Sequence, residues 1–493
     1  MTTLKQKTIS GVAWNTAGKL SNQILQFVLS VILMRLLQPS DYGLIAMAMV
    51  LIGFANIFGE FGFSSALIQN QAITEQHKSS IFWLNVVIGS ILTLLIFSFA
   101  EQFAGFYENE KLILVIKYLS FAFILSSFSI VPSALLQKEM NYSALNKIDV
   151  SIALLSGIVS VYMALNGWGV MSLVYQNLAT QLFKIPLVFI ASRWYPKNII
   201  SRISIKELFS YSAYLSGFNF INYWARKSDD LLIGKFMGAD SLGIYSRAYS
   251  LMLIPISQVI SLVSNVMFPA LSLIQSDKER VKRIYLSVMQ VLAFITFPLM
   301  LGLLATADNF VIGIFGEKWA EVIPVIQILA FIGVLQTLAN PTGWIYTSQG
   351  KTNWMFWWGV FGSGSVIIAI VIGVVIGSIY SVAIAYLIIN IILIYPVISI
   401  PGKLIDMTFT EVIKKVFSIF IVSLIMAAVV YFVGAILPAS IQESVKLIAQ
   451  VLLGMIIYLF IMWYFKIESL TNIKALIVEQ YNNFYKDKFS ARN

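Results

Sequence analysis

The sequence predicts an all-α polytopic membrane protein with about fourteen transmembrane helices. Of its 493 residues, 59% are apolar and only 11% are charged, whereas soluble domains carry about 25% charged residues. Apolar segments of about 20 residues, the length that crosses a hydrocarbon core of about 30 Å, recur along the whole chain. Composition and periodicity together therefore favour a protein built within lipid.

The predicted spans begin with a retained helix, since the first apolar run continues through Leu37 without a signal-peptidase site. We place the spans at 10–35, 42–68, 80–100, 112–136, 149–166, 169–191, 207–234, 243–273, 284–306, 321–348, 355–376, 379–399, 412–434 and 443–465. No loop between them exceeds about fifteen residues, which leaves no room for a soluble catalytic domain. Function is therefore expected to lie within the helices.

The distribution of positive charge predicts that both chain ends are cytoplasmic. In that orientation most Lys and Arg residues lie in cytoplasmic segments, which accounts for the net charge of +10 without a nucleic-acid partner. The sequence has no Cys and a single His, which excludes thiolate and multi-His metal sites and thiol nucleophiles. We expect no cofactor.

An internal repeat relates two segments at an offset of 200 residues: 37–48 aligns with 237–248, with Gly43 opposite Gly243. An even number of helices separates the copies, so they share one orientation, and parallel repeats are typical of transporters whose two lobes rock around a central site. We predict a six-helix lobe at 1–206, a second six-helix lobe at 207–403, and two additional helices with a basic tail at 404–493.

Polar side chains within the predicted spans form stripes along single helix faces. Ionisable groups in hydrocarbon are costly and usually face a bundle interior or an aqueous cavity. We predict a cationic cleft between the lobes that suits an anionic cargo, because Lys and Arg bind phosphate oxygens. The predicted cleft residues are Lys19, Lys184, Arg226, Lys227, Asn15, Asn22, Gln26, Asn177 and Gln181.

Three carboxylates in the spans, Glu60, Asp229 and Asp230, leave two interpretations open. One is ion coupling. The other is structural pairing, since Arg226 and Lys227 have the i,i+4 and i,i+3 spacing to Asp230 that helical ion pairs use.

Lys19 and Lys184 have no acidic residue within four positions, so they are the better candidates for cargo binding. Arg247, near the predicted outer end of its helix, is a candidate for cargo contact at that end. For this residue we favour the alternative that its side chain extends to the membrane interface.

Several short motifs, by their order and spacing, resemble one known family. The segments are Gly11-Val12-Ala13-Trp14-Asn15, Pro39-Ser40-Asp41-Tyr42-Gly43, Ser65-Ala66-Leu67-Ile68-Gln69, Phe82-Trp83-Leu84-Asn85 and Leu242-Gly243-Ile244-Tyr245. They resemble the polysaccharide exporters and O-antigen flippases, particularly the colanic-acid-exporter type, of the multidrug/oligosaccharidyl-lipid/polysaccharide exporter superfamily. The resemblance covers nearly the whole chain.

The resemblance implies two six-helix lobes, alternating access and a multi-pass protein of the bacterial inner membrane. It implies a lipid-linked glycan substrate: polyprenyl-diphosphate-linked oligosaccharide units, moved to the periplasmic leaflet for surface polysaccharide such as lipopolysaccharide O-antigen or exopolysaccharide. Polymerase and chain-length proteins of the same pathway are the expected partners, and we expect a transporter and not an enzyme.

Two rival functions stay open. The first is a multidrug or ion antiporter on the same fold, against which the excess of buried cations over carboxylates argues. The second is a membrane glycan polymerase, which needs a larger extracytoplasmic loop with catalytic groups than the sequence offers.

Overall fold

Helices form the regular secondary structure of the computed structural model, which describes residues 4–60, 63–69, 73–438 and 440–465. No strand occurs within those ranges, which confirms the all-α prediction. In the same ranges, 11 helices are long and apolar enough to cross a membrane. The chain is a multi-pass membrane protein, whereas the total of about fourteen spans stays a prediction.

The first of two compact units comprises Met1–Ser246. It contains the helices α1 (Leu4–Leu36), α2 (Pro39–Glu60), α3 (Phe63–Gln69), α4 (Glu75–Phe106), α5 (Lys111–Lys138), α6 (Tyr142–Leu165), α7 (Met171–Ser192) and the first part of α8 (Arg202–Leu273). Helix α6 packs against both α1 and α7, and helix α5 packs against α2, α4 and α7. The predicted lobe boundary at 206 lies inside this unit and stays a prediction.

The second unit comprises Arg247–Asn493. Besides the end of α8 it contains α9 (Lys278–Ala305), α10 (Ala307–Phe315), α11 (Val322–Ala339), α12 (Thr342–Ser348), α13 (Thr352–Ile376), α14 (Ile379–Gly402), α15 (Phe409–Ile436) and α16 (Glu443–Tyr464). Helix α9 packs against α11 and α15, and helix α16 packs against α10 and α15.

The seventh and eighth predicted spans are two helical segments of α8 that meet at a kink. The backbone is not helical at Gly238, where φ is 83°. Glycine adopts this conformation without the steric penalty that a Cβ atom brings. The break between the two segments therefore lies within the predicted connection.

The fifth span begins at Tyr142 and not at 149 as predicted. The side chain of Asn141 caps α6 by accepting a hydrogen bond from the backbone nitrogen of Ala144 at 3.2 Å. The predicted start was wrong because the polar stretch up to Lys147 was left out of the apolar span, whereas the helix includes it.

One further predicted span is divided in the structure. The span 321–348 comprises α11 and α12, with Pro341 at their junction. Proline removes a backbone donor and ends a helix readily. The span 42–68 covers most of α2 and most of α3, and residues 61–62 between them lie outside the described ranges. The short α10 was not predicted.

The two copies of the repeated turn contact each other reciprocally inside the first unit. A Cβ atom added at Gly43 would overlap the carbonyl oxygen of Ala239, and one added at Gly243 would overlap the carbonyl oxygen of Pro39. Ala239 is the repeat equivalent of Pro39. In each direction, the glycine of one copy therefore contacts the same position of the other copy, as in an interface with two-fold symmetry. This reciprocity supports the parallel repeat and explains why both copies need glycine.

Candidate functional site

Helices α1, α6 and α7 carry the first of two polar clusters. A Cβ atom added at Gly18 on α1 would lie 2.5 Å from the Cβ atom of Asn146, so the two helices approach closely at this level. Lys19 follows directly and has an exposed side chain. The close approach therefore places a cation of α1 beside the polar start of α6.

Lys184 has an acidic neighbour on another helix. The carboxylate of Asp149, on α6, lies within electrostatic range of the Lys184 ammonium group, on α7, without an ion pair between them. Asp149 lies one turn after Asn146, so both side chains project from neighbouring positions of α6. Asp149 was not predicted as a site residue, because sequence spacing identifies partners within a helix and not between helices.

The other predicted residues of these helices add neutral polar groups. The Oδ1 atom of Asn22 is buried and has no hydrogen-bond partner among the described residues, and Gln26 is exposed. On α7, Asn177 and Gln181 are partly buried and share one face with Lys184. We call Lys19, Asn22, Asn146, Asp149 and Lys184 the amino-terminal cluster.

The second cluster is centred on Asp229 and Asp230 of α8. The Nζ atom of Lys227 donates to Oδ2 of Asp230 at 2.5 Å, and the backbone nitrogen of Asp230 donates to Oδ1 of Asp229 at 2.8 Å. Of the two interpretations that the sequence left open, structural pairing therefore applies at least to Lys227 with Asp230.

Two tyrosines flank Asp230 along α8: Tyr223 lies about two turns before it, and the ring of Tyr107 packs against Gly234, one turn after it. The hydroxyl of Tyr223 donates to the carbonyl oxygens of Val50, at 2.7 Å, and Met49, at 3.1 Å. Tyr107, in the turn after α4, was not predicted because no helical periodicity relates it to α8. We call Tyr107, Tyr223, Lys227, Asp229 and Asp230 the aspartate cluster.

Besides Gln26, Asn177 and Gln181, four predicted site residues belong to neither cluster. Asn15, Glu60 and Arg226 lie outside the residues whose side chains the structure describes. Arg247 begins the second unit and is partly buried. Their roles, and the predicted cleft between two lobes, stay predictions.

The fold and the two clusters define a class of protein: a multi-pass helical membrane protein with ionisable groups inside its bundle, as transporters have. The profile of one family, described as polysaccharide biosynthesis protein, matches residues 32–324, more than half of the chain. The chain belongs to this polysaccharide biosynthesis protein family. The resemblance inferred from the short motifs is thereby confirmed.

Three curated relatives match over most of their lengths. The teichuronic acid biosynthesis protein TuaB of Bacillus subtilis is 27% identical over 469 residues, covering 94% of this chain and 96% of TuaB. The lipopolysaccharide biosynthesis protein WzxC of Escherichia coli is 29% identical, covering 79% of this chain and 80% of WzxC. The succinoglycan biosynthesis transport protein ExoT of Rhizobium meliloti is 27% identical, covering 92% and 93%.

Two solved structures share the fold. The lipid II flippase MurJ, in an inward closed conformation, has a TM-score of 0.70 and 17% identity, covering 92% of this chain and 98% of MurJ. An inward-facing multidrug resistance transporter of the MATE family has a TM-score of 0.62 and 14% identity, covering 78% and 94%. The prediction of a transporter fold, as opposed to an enzyme, is confirmed.

Proposed function

We propose that this protein is a flippase that moves a polyprenyl-diphosphate-linked oligosaccharide from the cytoplasmic to the periplasmic leaflet of a bacterial inner membrane. One observation carries the proposal: relatives that match over most of their length are named for the biosynthesis of surface polysaccharides, while the fold is that of a lipid flippase. A protein with both properties fits the step that carries a lipid-linked glycan across the bilayer.

The amino-terminal cluster is the part of the described structure best suited to an anionic headgroup. Lys184 and Lys19 supply positive charge within the membrane-spanning part of the chain, and Asn177 and Gln181 add hydrogen-bonding groups along the same face of α7 as Lys184. Lys184 makes no ion pair with the nearby Asp149, so a diphosphate could contact the ammonium group without displacing that carboxylate from it.

Transport itself is proposed to follow alternating access between lobes at 1–206 and 207–403, with the prenyl chain left in lipid. An inside-negative potential favours outward passage of an anionic headgroup, by about 2.3 kcal/mol per charge for each 100 mV. With both chain ends in the cytoplasm, the product is released where periplasmic polymerase and chain-length proteins of the same pathway would use it.

The first test combines Lys19→Gln with Lys184→Gln in a strain that lacks the native gene. If these lysines bind the headgroup, surface polysaccharide should fall at least about tenfold, since each lost charge-assisted contact removes about 1.5 to 3 kcal/mol. Polysaccharide per unit of membrane-inserted protein is the quantity to measure.

A matched control removes two exposed lysines, Lys111→Gln with Lys147→Gln, and should leave export unchanged. Export at the native level in the Lys19 and Lys184 double variant, at equal protein abundance, would contradict the headgroup role.

A further inference from the structure

A cluster of uncharged polar side chains lies within the membrane-spanning part of the second unit. The Nε2 atom of Gln336, on α11, donates to the hydroxyl oxygen of Tyr386, on α14, at 3.2 Å. The rings of Tyr386 and of Tyr249, on α8, have centroids 6.5 Å apart. Asn390 lies one turn after Tyr386 and donates from Nδ2 to the Tyr386 carbonyl oxygen at 2.8 Å. We call Tyr249, Gln336, Tyr386 and Asn390 the neutral cluster.

The neutral cluster lies near the middle of its helices. Tyr386 and Asn390 are the eighth and the twelfth of the 24 residues of α14, about 10 to 17 Å from its start. Gln336 is the fifteenth of the 27 residues of the candidate span Val322–Ser348. The interfacial belt that tyrosines form at membrane surfaces therefore does not account for this cluster.

The side chains of the neutral cluster are partly buried, and two of its amide oxygens are available. Polar groups at this depth are costly in contact with hydrocarbon, so those that keep some exposure face a bundle interior or an aqueous cavity. Oε1 of Gln336 and Oδ1 of Asn390 accept no hydrogen bond within the described part of the chain. Both oxygens can therefore accept hydrogen bonds from a ligand.

The helices that supply the two amides carry no charge. Asp, Glu, Lys and Arg are absent from α11 and α14, whereas α7 carries Lys184 beside Asn177 and Gln181. Helix α7 is the sixth predicted span and α14 the twelfth, so the two are counterparts in the parallel repeat. Counterpart helices thus present a cation in the first unit and neutral polar groups in the second.

The groups of the neutral cluster match the chemistry of a sugar. An amide both donates and accepts hydrogen bonds, as sugar hydroxyls do, and a tyrosine ring offers an apolar face with a polar end. A site that binds ligand hydroxyls through such groups discriminates strongly against ligands that lack them, because its own polar groups are then left unpaired.

We propose that the neutral cluster binds the oligosaccharide part of the lipid-linked cargo and determines which sugars are accepted. Gln336 and Asn390 accept hydrogen bonds from sugar hydroxyls, and the rings of Tyr249 and Tyr386 form the apolar surface. This inference rests on the proposed function, in which the diphosphate is assigned to the amino-terminal cluster.

The test compares two ligands with the same prenyl chain on the purified full-length protein. One is the lipid-linked oligosaccharide extracted from a strain that lacks the gene, and the other is the same polyprenyl diphosphate without sugar. Dissociation constants follow from the concentration dependence of thermal stabilisation. The native protein should bind the glycan ligand at least about tenfold more tightly than the sugar-free one.

Gln336→Leu and Asn390→Leu should each weaken binding of the glycan ligand about tenfold, because each removes one hydrogen-bonding side chain of similar size. Binding of the sugar-free ligand should stay at the native level in both variants, which also shows that they are folded.

Asn309→Leu is the matched control, because Nδ2 of Asn309 on α10 donates to Oε1 of Gln450 on α16 at 2.7 Å, in the same unit. Polar side chains also hold membrane helices together, and this variant loses such a contact away from the neutral cluster. It should lower the unfolding temperature and keep the preference for the glycan ligand.

A native protein that binds both ligands equally would overturn the sugar site and leave the proposed function intact. A glycan preference that Gln336→Leu and Asn390→Leu retain as fully as Asn309→Leu does would also overturn it. A native protein that binds neither ligand would contradict the proposed function itself, and the sugar site with it.

Discussion

The two copies of the repeated turn have the same backbone contact but different chemistry on the helices that lead into them. Gly43 and Gly243 each allow a carbonyl oxygen of the other copy to approach where a side chain would otherwise lie. This contact requires that neither position carries a Cβ atom. The two turns therefore share one steric requirement, whatever side chains surround them.

Equivalent positions ahead of the turns show how far the chemistry differs. Met34 is 1% exposed and fills its place with an apolar side chain, whereas the equivalent Gly234 leaves room for the ring of Tyr107. Ser30 makes only a local contact of 3.8 Å to the sulfur of Met34, whereas the equivalent Asp230 is paired with Lys227. An ionisable site therefore exists in one copy at positions that are structural in the other.

The glycine contact that the two turns share should be more sensitive to substitution than the positions at which the copies differ. Gly43→Ala or Gly243→Ala forces backbone apart at the contact, and we expect each to destabilise the protein by about 3 kcal/mol or more. Unfolding of the purified variants and their abundance in membranes measure this effect.

Gly105→Ala is the control, because an added Cβ there has no atom within 4 Å, and the helical position should gain about 0.5 to 1 kcal/mol. If Gly43→Ala were as stable as Gly105→Ala, the turns would not be held together by this contact.

A smaller effect is expected where the copies differ. Gly234→Ala places a methyl group against the Tyr107 ring, and displacement of the ring should cost about 1 to 2 kcal/mol. Thermal unfolding of the purified variant and of the native protein measures this cost. A variant as stable as the native protein would mean that the ring moves aside without cost.

The smallest effect concerns the exposed pair of Glu108 and Lys235 beside the aspartate cluster. The hydrogen bond from Lys235 and its charge hold the pKa of Glu108 below its ordinary value. A lowered pKa means that the pair stabilises the folded protein above about pH 4.3 and that this contribution is lost as the pH falls through the folded-state pKa.

Glu108→Gln should therefore lower the unfolding midpoint by about 1 °C or less at pH 7, because the pair is exposed, and by less at about pH 3 than at pH 7. Melting curves of the native protein and the variant at both pH values provide the measurement. A difference that grows on acidification would have the wrong sign for this pair.

The helical architecture was predictable because hydropathy and span length are local properties of the sequence. The helix boundaries were less predictable than the helices themselves. Helix α6 starts at Tyr142 because Asn141 caps it, and it accommodates Lys147 and Asp149 near its start. The break at Gly238 was predictable as the junction of the seventh and eighth spans, because it lies in a short stretch between two apolar segments.

The candidate site was predictable only where its members share a helix. The pairing of Lys227 with Asp230 follows from their spacing, which is the same in any helix. Asp149 beside Lys184, and Tyr107 beside Asp230, depend on which helices are neighbours and on their rotation, and a single sequence does not contain that information in a local form.

The central claim is that this protein moves a lipid-linked glycan between leaflets, and the leaflet position of that glycan in a deletion strain tests it most directly. Inner membranes of the strain are treated from the periplasmic side with an enzyme or label that cannot cross the bilayer. We predict that complete lipid-linked units accumulate and stay protected, and that the native gene restores their exposure. Units that reach the periplasmic leaflet in the deletion strain but remain unpolymerised would contradict the claim and place the protein after translocation.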